Sequence, residues 1–137
     1  MRKQIIIGFI LLSISYQSIA QKADDVLGVF YSPDKRGKIE VYKQQGKYFG
    51  RTICCDTSRK DSYNPDPALR SRSRIGVVFL LDFEYLGDGN YDNGRIYNLD
   101  DGRTYSGMLW LEGKSLKVRG YVGSSLLGKT VTFERVE

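Results

Sequence analysis

Three arginines at alternate positions, Arg70, Arg72 and Arg74, follow the stretch Asn64-Pro65-Asp66-Pro67 and precede a long apolar run. Proline fixes its own φ and biases the preceding residue towards an extended backbone, so Asn64 and Asp66 belong to a stiff turn. Alternate side chains of an extended segment point to one side. A guanidinium recognises a carboxylate or phosphate through paired hydrogen bonds. One reading is therefore an anion site on Arg70 and Arg72, shaped by Asn64 and Asp66. The other is that Asp61 or Asp66 pairs with the arginines and locks the loop. A second candidate group is Arg119 and Tyr121, which alternate around Gly120, with Tyr97 and Tyr105 on strands expected to lie nearby. A tyrosine offers an apolar ring and one hydroxyl, which suits a ligand pocket. The same residues also suit an outer-face ladder of aromatics and cations.

The close carboxylate pairs are Asp24 with Asp25, Asp82 with Glu84, and Asp100 with Asp101. Two facing carboxylates would serve a hydrolase. Turn duty accounts for most of these, and no nucleophile, base and orienting group line up. The chain has no histidine, which removes histidine acid–base chemistry, histidine-based triads and histidine metal ligands. Its two cysteines, Cys54 and Cys55, are adjacent. They read either as a vicinal bridge or as thiols buried in a strand. No enzyme, cofactor or metal is expected.

The elements that must position these residues are strands. Gly, Asn and Asp recur every few residues, and between them lie short segments rich in Val, Ile, Tyr, Phe and Thr. Eight strands are predicted, near 27–32, 38–43, 47–54, 75–86, 94–98, 103–111, 115–122 and 129–136. Gln45-Gly46, Asp88-Gly89-Asn90 with Asp92-Asn93-Gly94, Asp100-Asp101-Gly102 and Glu112-Gly113-Lys114 mark the turns. Short turns imply a meander, and an eight-stranded meander hides its edges by closing into an up-and-down barrel. The runner-up is an open two-sheet sandwich. Ile39 and Val41 share one face, as do Leu116, Val118 and Gly120. Leu126 and Leu127 occupy a turn and read either as a plug for one barrel end or as an exposed tip for a partner or membrane surface. Phe79, Phe83 and Phe133 are bulky enough to fill the interior.

Residues 1–20 read as a secretory signal peptide. Arg2 and Lys3 precede the apolar run Ile5–Ile14, and Ser18-Ile19-Ala20 supplies a small-residue cleavage site. The mature domain is then 21–137, periplasmic or secreted, with no transmembrane segment. Removing Arg2 and Lys3 lowers the net charge from +5 to +3. That is too modest a surplus for a nucleic-acid protein.

Gly28-x-Phe30 loosely matches the Gly-x-Trp opening of lipocalin-type barrels, in which an arginine of the last strand covers the ring. Arg135 is placed to do this. The order of Asn64-Pro65-Asp66-Pro67-x-Leu69-Arg70-x-Arg72, Ile75-Gly76, Gly94-x-Ile96-Tyr97, Asp101-Gly102-x-Thr104-Tyr105 and Leu116-Lys117-Val118-Arg119-Gly120-Tyr121-x-Gly123-x-Ser125-Leu126-Leu127-Gly128 resembles the bacterial domain-of-unknown-function family 2147. The resemblance implies a small exported lipocalin-like barrel and no particular reaction. The expectation is a single-domain, all-β, antiparallel barrel of about eight strands. It would bind a small, partly apolar or anionic ligand at one end, through Asn64, Asp66, Arg70, Arg72, Tyr97, Tyr105, Arg119 and Tyr121. A module for an envelope protein partner is the alternative, and a carboxylate-based hydrolase the third reading.

Overall fold

The computed structural model describes residues 22–137, so the signal peptide expected at 1–20 lies outside the described residues. Eight strands follow in chain order: β1 (Gly28–Tyr31), β2 (Lys38–Gln44), β3 (Lys47–Cys54), β4 (Val78–Gly87), β5 (Asn90–Tyr97), β6 (Thr104–Glu112), β7 (Ser115–Tyr121) and β8 (Lys129–Glu134). Each pairs antiparallel with the next, in one sheet of order β1 to β8. The sheet curls until its ends meet. Phe30 bridges Arg135, and the Val136 amide donates to the Val29 carbonyl at 3.0 Å. The expected up-and-down barrel is what forms, and the sandwich is not.

The two ends differ in chain length. At one end β2–β3, β4–β5 and β6–β7 are joined by two-residue turns at 45–46, 88–89 and 113–114. Gln45 (φ 51°) and Gly46 (φ 78°) both lie in the left-handed region, the geometry whose twist matches a hairpin. At the other end the connections are 32–37, 55–77, 98–103 and 122–128. Loops long enough to carry a site are therefore all at one end.

The short-turn end is sealed. A helical turn at 22–24 caps it, held by Tyr91 donating to the Ala23 carbonyl at 2.6 Å and Tyr48 donating to Asp24 at 2.7 Å. The Arg135 guanidinium lies 4.6 Å from the Phe30 ring centre and donates to the carbonyls of Leu27 and Asp25. Such a cation–π contact contributes about 0.5–2 kcal/mol. Gly28 (φ +139°) passes so close that a Cβ there would lie 2.6 Å from Arg135 Nη1. The Gly28-x-Phe30 reading holds.

Two strand starts differ from the sequence expectation by three residues or more. β5 begins at Asn90 rather than near 94, and Asp92-Asn93-Gly94 is not a turn. Gly94 lies under the Phe83 ring, where any Cβ would overlap ring carbons, so its glycine serves packing. β4 begins at Val78 rather than 75, because the 75–77 backbone crosses Thr52 irregularly, through Gly76 N to Thr52 O and Thr52 N to Val77 O. Register irregularities between β3 and β4 accompany the burial of Phe79, Leu80 and Phe83, which accounts for the unbroken apolar run. Gly94→Ala is expected to cost about 1–3 kcal/mol, the usual range for overfilling a packed interior. A urea midpoint that does not fall would contradict this packing.

Candidate functional site

The long loop 55–77 is organised by one carboxylate. Asp61 is fully buried and accepts from Tyr97 Oη at 2.6 Å, Asn64 Nδ2 at 2.8 Å and both Nε and Nη2 of Arg72 at 2.9 Å. Burial pushes the Asp61 carboxyl up. The donors of Tyr97, Asn64 and Arg72 outweigh it and hold the carboxyl below the ordinary range. Burial, reinforced by the facing carboxylate, pushes the Tyr97 hydroxyl up to about 12, so it stays a donor. Asp66 caps the short 3₁₀ turn 67–69 by accepting from the Ala68 amide, and Arg70 donates from Nε to the Asn64 carbonyl at 2.7 Å.

This decides between the two readings of the arginine motif. Asn64, Asp66, Arg70 and Arg72 lock the loop, and none of them lines the cavity described below. Arg72 is engaged by Asp61, and Arg70 by the Asn64 carbonyl through Nε. Arg74 works differently. It reaches out of the loop to Asp100 at 2.8 Å and to the carbonyls of Lys60 and Leu99. Arg59 pairs with Asp34 at 3.2 Å and with Asp100 at 3.5 Å. Two arginines thus stitch together three of the four long connections.

Inside that ring the barrel is hollow. A cavity of about 810 Å³ opens at the long-loop end. Its floor and walls are apolar, including Ile39, Phe79, Ile96, Val118, Val131 and Phe133. Phe79 and Phe133 face each other at 6.1 Å, while Phe83 is buried nearer the sealed end. The interior is therefore not packed solid. Its rim is charged, with Asp34, Arg36, Arg59, Arg74, Asp100 and Lys129. Arg36 and Lys129 are exposed and enter none of the ion pairs among the described residues. Tyr97, Tyr105 and Tyr121 line this cavity, although the Tyr97 hydroxyl is held by Asp61 and the Tyr105 hydroxyl donates to Asp101.

Arg119 does not join them. It lies on the outer wall and donates to the Ser125 carbonyl at 2.7 Å, the Leu126 carbonyl at 3.4 Å and Thr130 Oγ1 at 2.9 Å. The two carbonyl bonds tie the turn 125–127 to β7. Leu126 and Leu127 are 86% and 82% exposed, so they are not a plug. Cys54 and Cys55 are joined to each other, and Cys54 lies on the cavity rim. The carboxylate pairs are dispersed. Asp82 pairs with Arg95, Glu84 with Lys47, and Asp24 with Lys43. Sequence reading missed most of the lining because each segment contributes only a few residues. The legible signals were the Val118–Gly120 face of β7, Ile39 on β2, the bulky Phe79 and Phe133, and the tyrosines at 97, 105 and 121.

A meander barrel sealed at one end and hollow at the other is the architecture of a lipocalin-like barrel. The chain belongs to the family described as "Uncharacterized protein conserved in bacteria (DUF2147)", whose profile matches residues 28–135. A solved structure, described as "Protein HP1028 from the human pathogen Helicobacter pylori belongs to the lipocalin family", superposes with a TM-score of 0.70 at 29% identity. The match covers 82% of this chain and 84% of that one. No curated protein is significantly similar.

The lock has a signed pH dependence. A carboxyl whose folded pKa is depressed adds stability above its unfolded value, about 3.9, and loses it as pH falls through the folded value. Asp61→Asn is expected to lower stability at pH 7 by about 1–3 kcal/mol. The deficit against wild type should shrink as both are taken below about pH 4. Denaturant titrations at several pH values would measure it, and a deficit constant with pH would refute the assignment.

Proposed function

We propose that this protein is an exported binding protein that holds a small amphipathic molecule in the open end of the barrel and catalyses no reaction. The apolar body of the ligand rests against Ile39, Phe79, Ile96, Val118, Val131 and Phe133. An acidic head group meets Arg36 and Lys129 at the rim. The observation that carries this is the cavity, whose 810 Å³ falls within the roughly 300–1,000 Å³ typical of small-molecule sites. Burying apolar ligand surface supplies the main attraction, at about 25 cal/mol per Å². Export rests on the sequence of residues 1–20, with cleavage after Ala20.

Gly120 gives the test. It lines the cavity, and a Cβ there would meet Ile96 Cδ1 at 3.6 Å and Tyr105 Cβ at 3.7 Å, ordinary contact distances. Gly120→Leu should therefore fold and partly fill the cavity. The probe is anilinonaphthalene sulfonate, an anionic apolar fluorophore. Wild type should bind it saturably, and Gly120→Leu should weaken binding by about tenfold, the loss of roughly 50–60 Å² of apolar contact. Equal affinity in a folded variant, or no binding by wild type, would remove the cavity from the reading. Tyr97→Phe should lower stability and leave probe affinity unchanged.

A further inference from the structure

The turn that Arg119 holds carries three exposed apolar side chains, Val122 at 72%, Leu126 at 86% and Leu127 at 82%. The connection 122–128 contains no charged residue. Two bonds from Arg119, to the Ser125 and Leu126 carbonyls, fix it, and Ser124 adds a cap by accepting from the Leu126 amide at 3.3 Å. The leucines are presented by a built turn rather than left over by a loose one. Leu127 and Val122 also lie on the cavity mouth. Clustered exposed apolar groups mark a contact surface.

The charge around this tip says what it contacts. The long-loop end, taken as residues 32–38, 55–77, 98–103 and 122–129, carries ten Lys or Arg against six Asp, a surplus of four positive charges. The remainder of residues 22–137 carries nine Lys or Arg against ten Asp or Glu, a deficit of one. The molecule is polarised, with its positive end at the mouth. An apolar tip on a positive face fits a surface with negative head groups over hydrocarbon.

We infer that the protein docks mouth-first on an anionic lipid membrane, inserting Val122, Leu126 and Leu127 between the head groups while the cations of the long-loop end meet the lipid charge. Docking in this pose puts the mouth of the barrel against the lipid. The inference does not depend on the cavity holding a ligand, so it can fail or stand independently of the function proposed above.

The test is sedimentation of the purified protein with phosphatidylcholine vesicles, with and without phosphatidylglycerol. The protein should sediment with the phosphatidylglycerol vesicles, much less with phosphatidylcholine alone, and be released by raised salt. Leu126→Asp with Leu127→Asp should melt as wild type does, because both side chains are exposed, and should lose about tenfold or more in apparent affinity. Leu126→Ser with Leu127→Ser serves if the aspartates disturb folding. Arg36→Glu with Lys129→Glu should weaken binding and flatten its salt dependence. Failure of wild type to bind phosphatidylglycerol vesicles overturns the inference. So does undiminished binding by a folded leucine variant, or a leucine tip whose loss abolishes self-association instead of vesicle binding.

Discussion

A carboxylate taken fully out of water must be matched by donors or it will not stay charged there. Asp61 meets this demand with a hydroxyl from β5, an amide from its own turn and a guanidinium from the far side of the loop. Because those donors come from residues 64, 72 and 97, satisfying one charge fixes the long connection both to itself and to the barrel wall. The Asp61 amide donating to the Arg72 carbonyl adds a backbone tie across the same span. Arg74 then leaves the loop at a set position and direction, and its reach to Asp100 carries the order into 98–103. The rim is thus a chain of dependencies that starts at one buried charge. A mixed set of polar donors suits this role better than apolar packing, since it specifies direction as well as proximity.

The barrel divides its labour by end. Two-residue turns leave no room for a site, and the sealed end spends its polar groups on closure, through Arg135 on the Leu27 and Asp25 carbonyls and Tyr91 on Ala23. Closure at that end holds the first and last strands together where β1 is only Gly28–Tyr31. The open end can then stay hollow without the sheet coming apart. Small residues distribute the interior volume. Gly50 and Gly107 are overlaid by Leu80 and Ile96, whereas Gly120 has only ordinary contacts and lines the cavity. The same residue type fills one half and empties the other.

The fold was legible because its signals are local. Turn residues, alternation in β2 and β7, and the Gly28-x-Phe30 start each act within a few positions, and the strands and their order follow from them. The errors were also local signals, read at face value. Asp92-Asn93-Gly94 has turn chemistry but spans a strand, because Phe83 needs the space above Gly94. The site was less legible. Asn64, Asp66, Arg70 and Arg72 looked like recognition chemistry, and their partner Asp61 was foreseen only as one of two readings. Nothing in the sequence says that a charge will be buried and so consume its neighbours. Tyr97, Tyr105 and Tyr121 reach the cavity, whereas Arg119, on the same face of β7 as Tyr121, is drawn to the 125–127 turn and Thr130.

The densest motif of the chain is therefore a property of its scaffold. Asn64-Pro65-Asp66-Pro67 with Arg70 and Arg72 determines how the loop stands. The residues a ligand would touch come from several strands and connections, with no fixed spacing between them. Ile39, Phe79, Ile96 and Val131 could each change size without disturbing Asp61 or its donors, since none of them bonds to it. Family membership carries no role to this chain, and any ligand has to be read from the cavity itself.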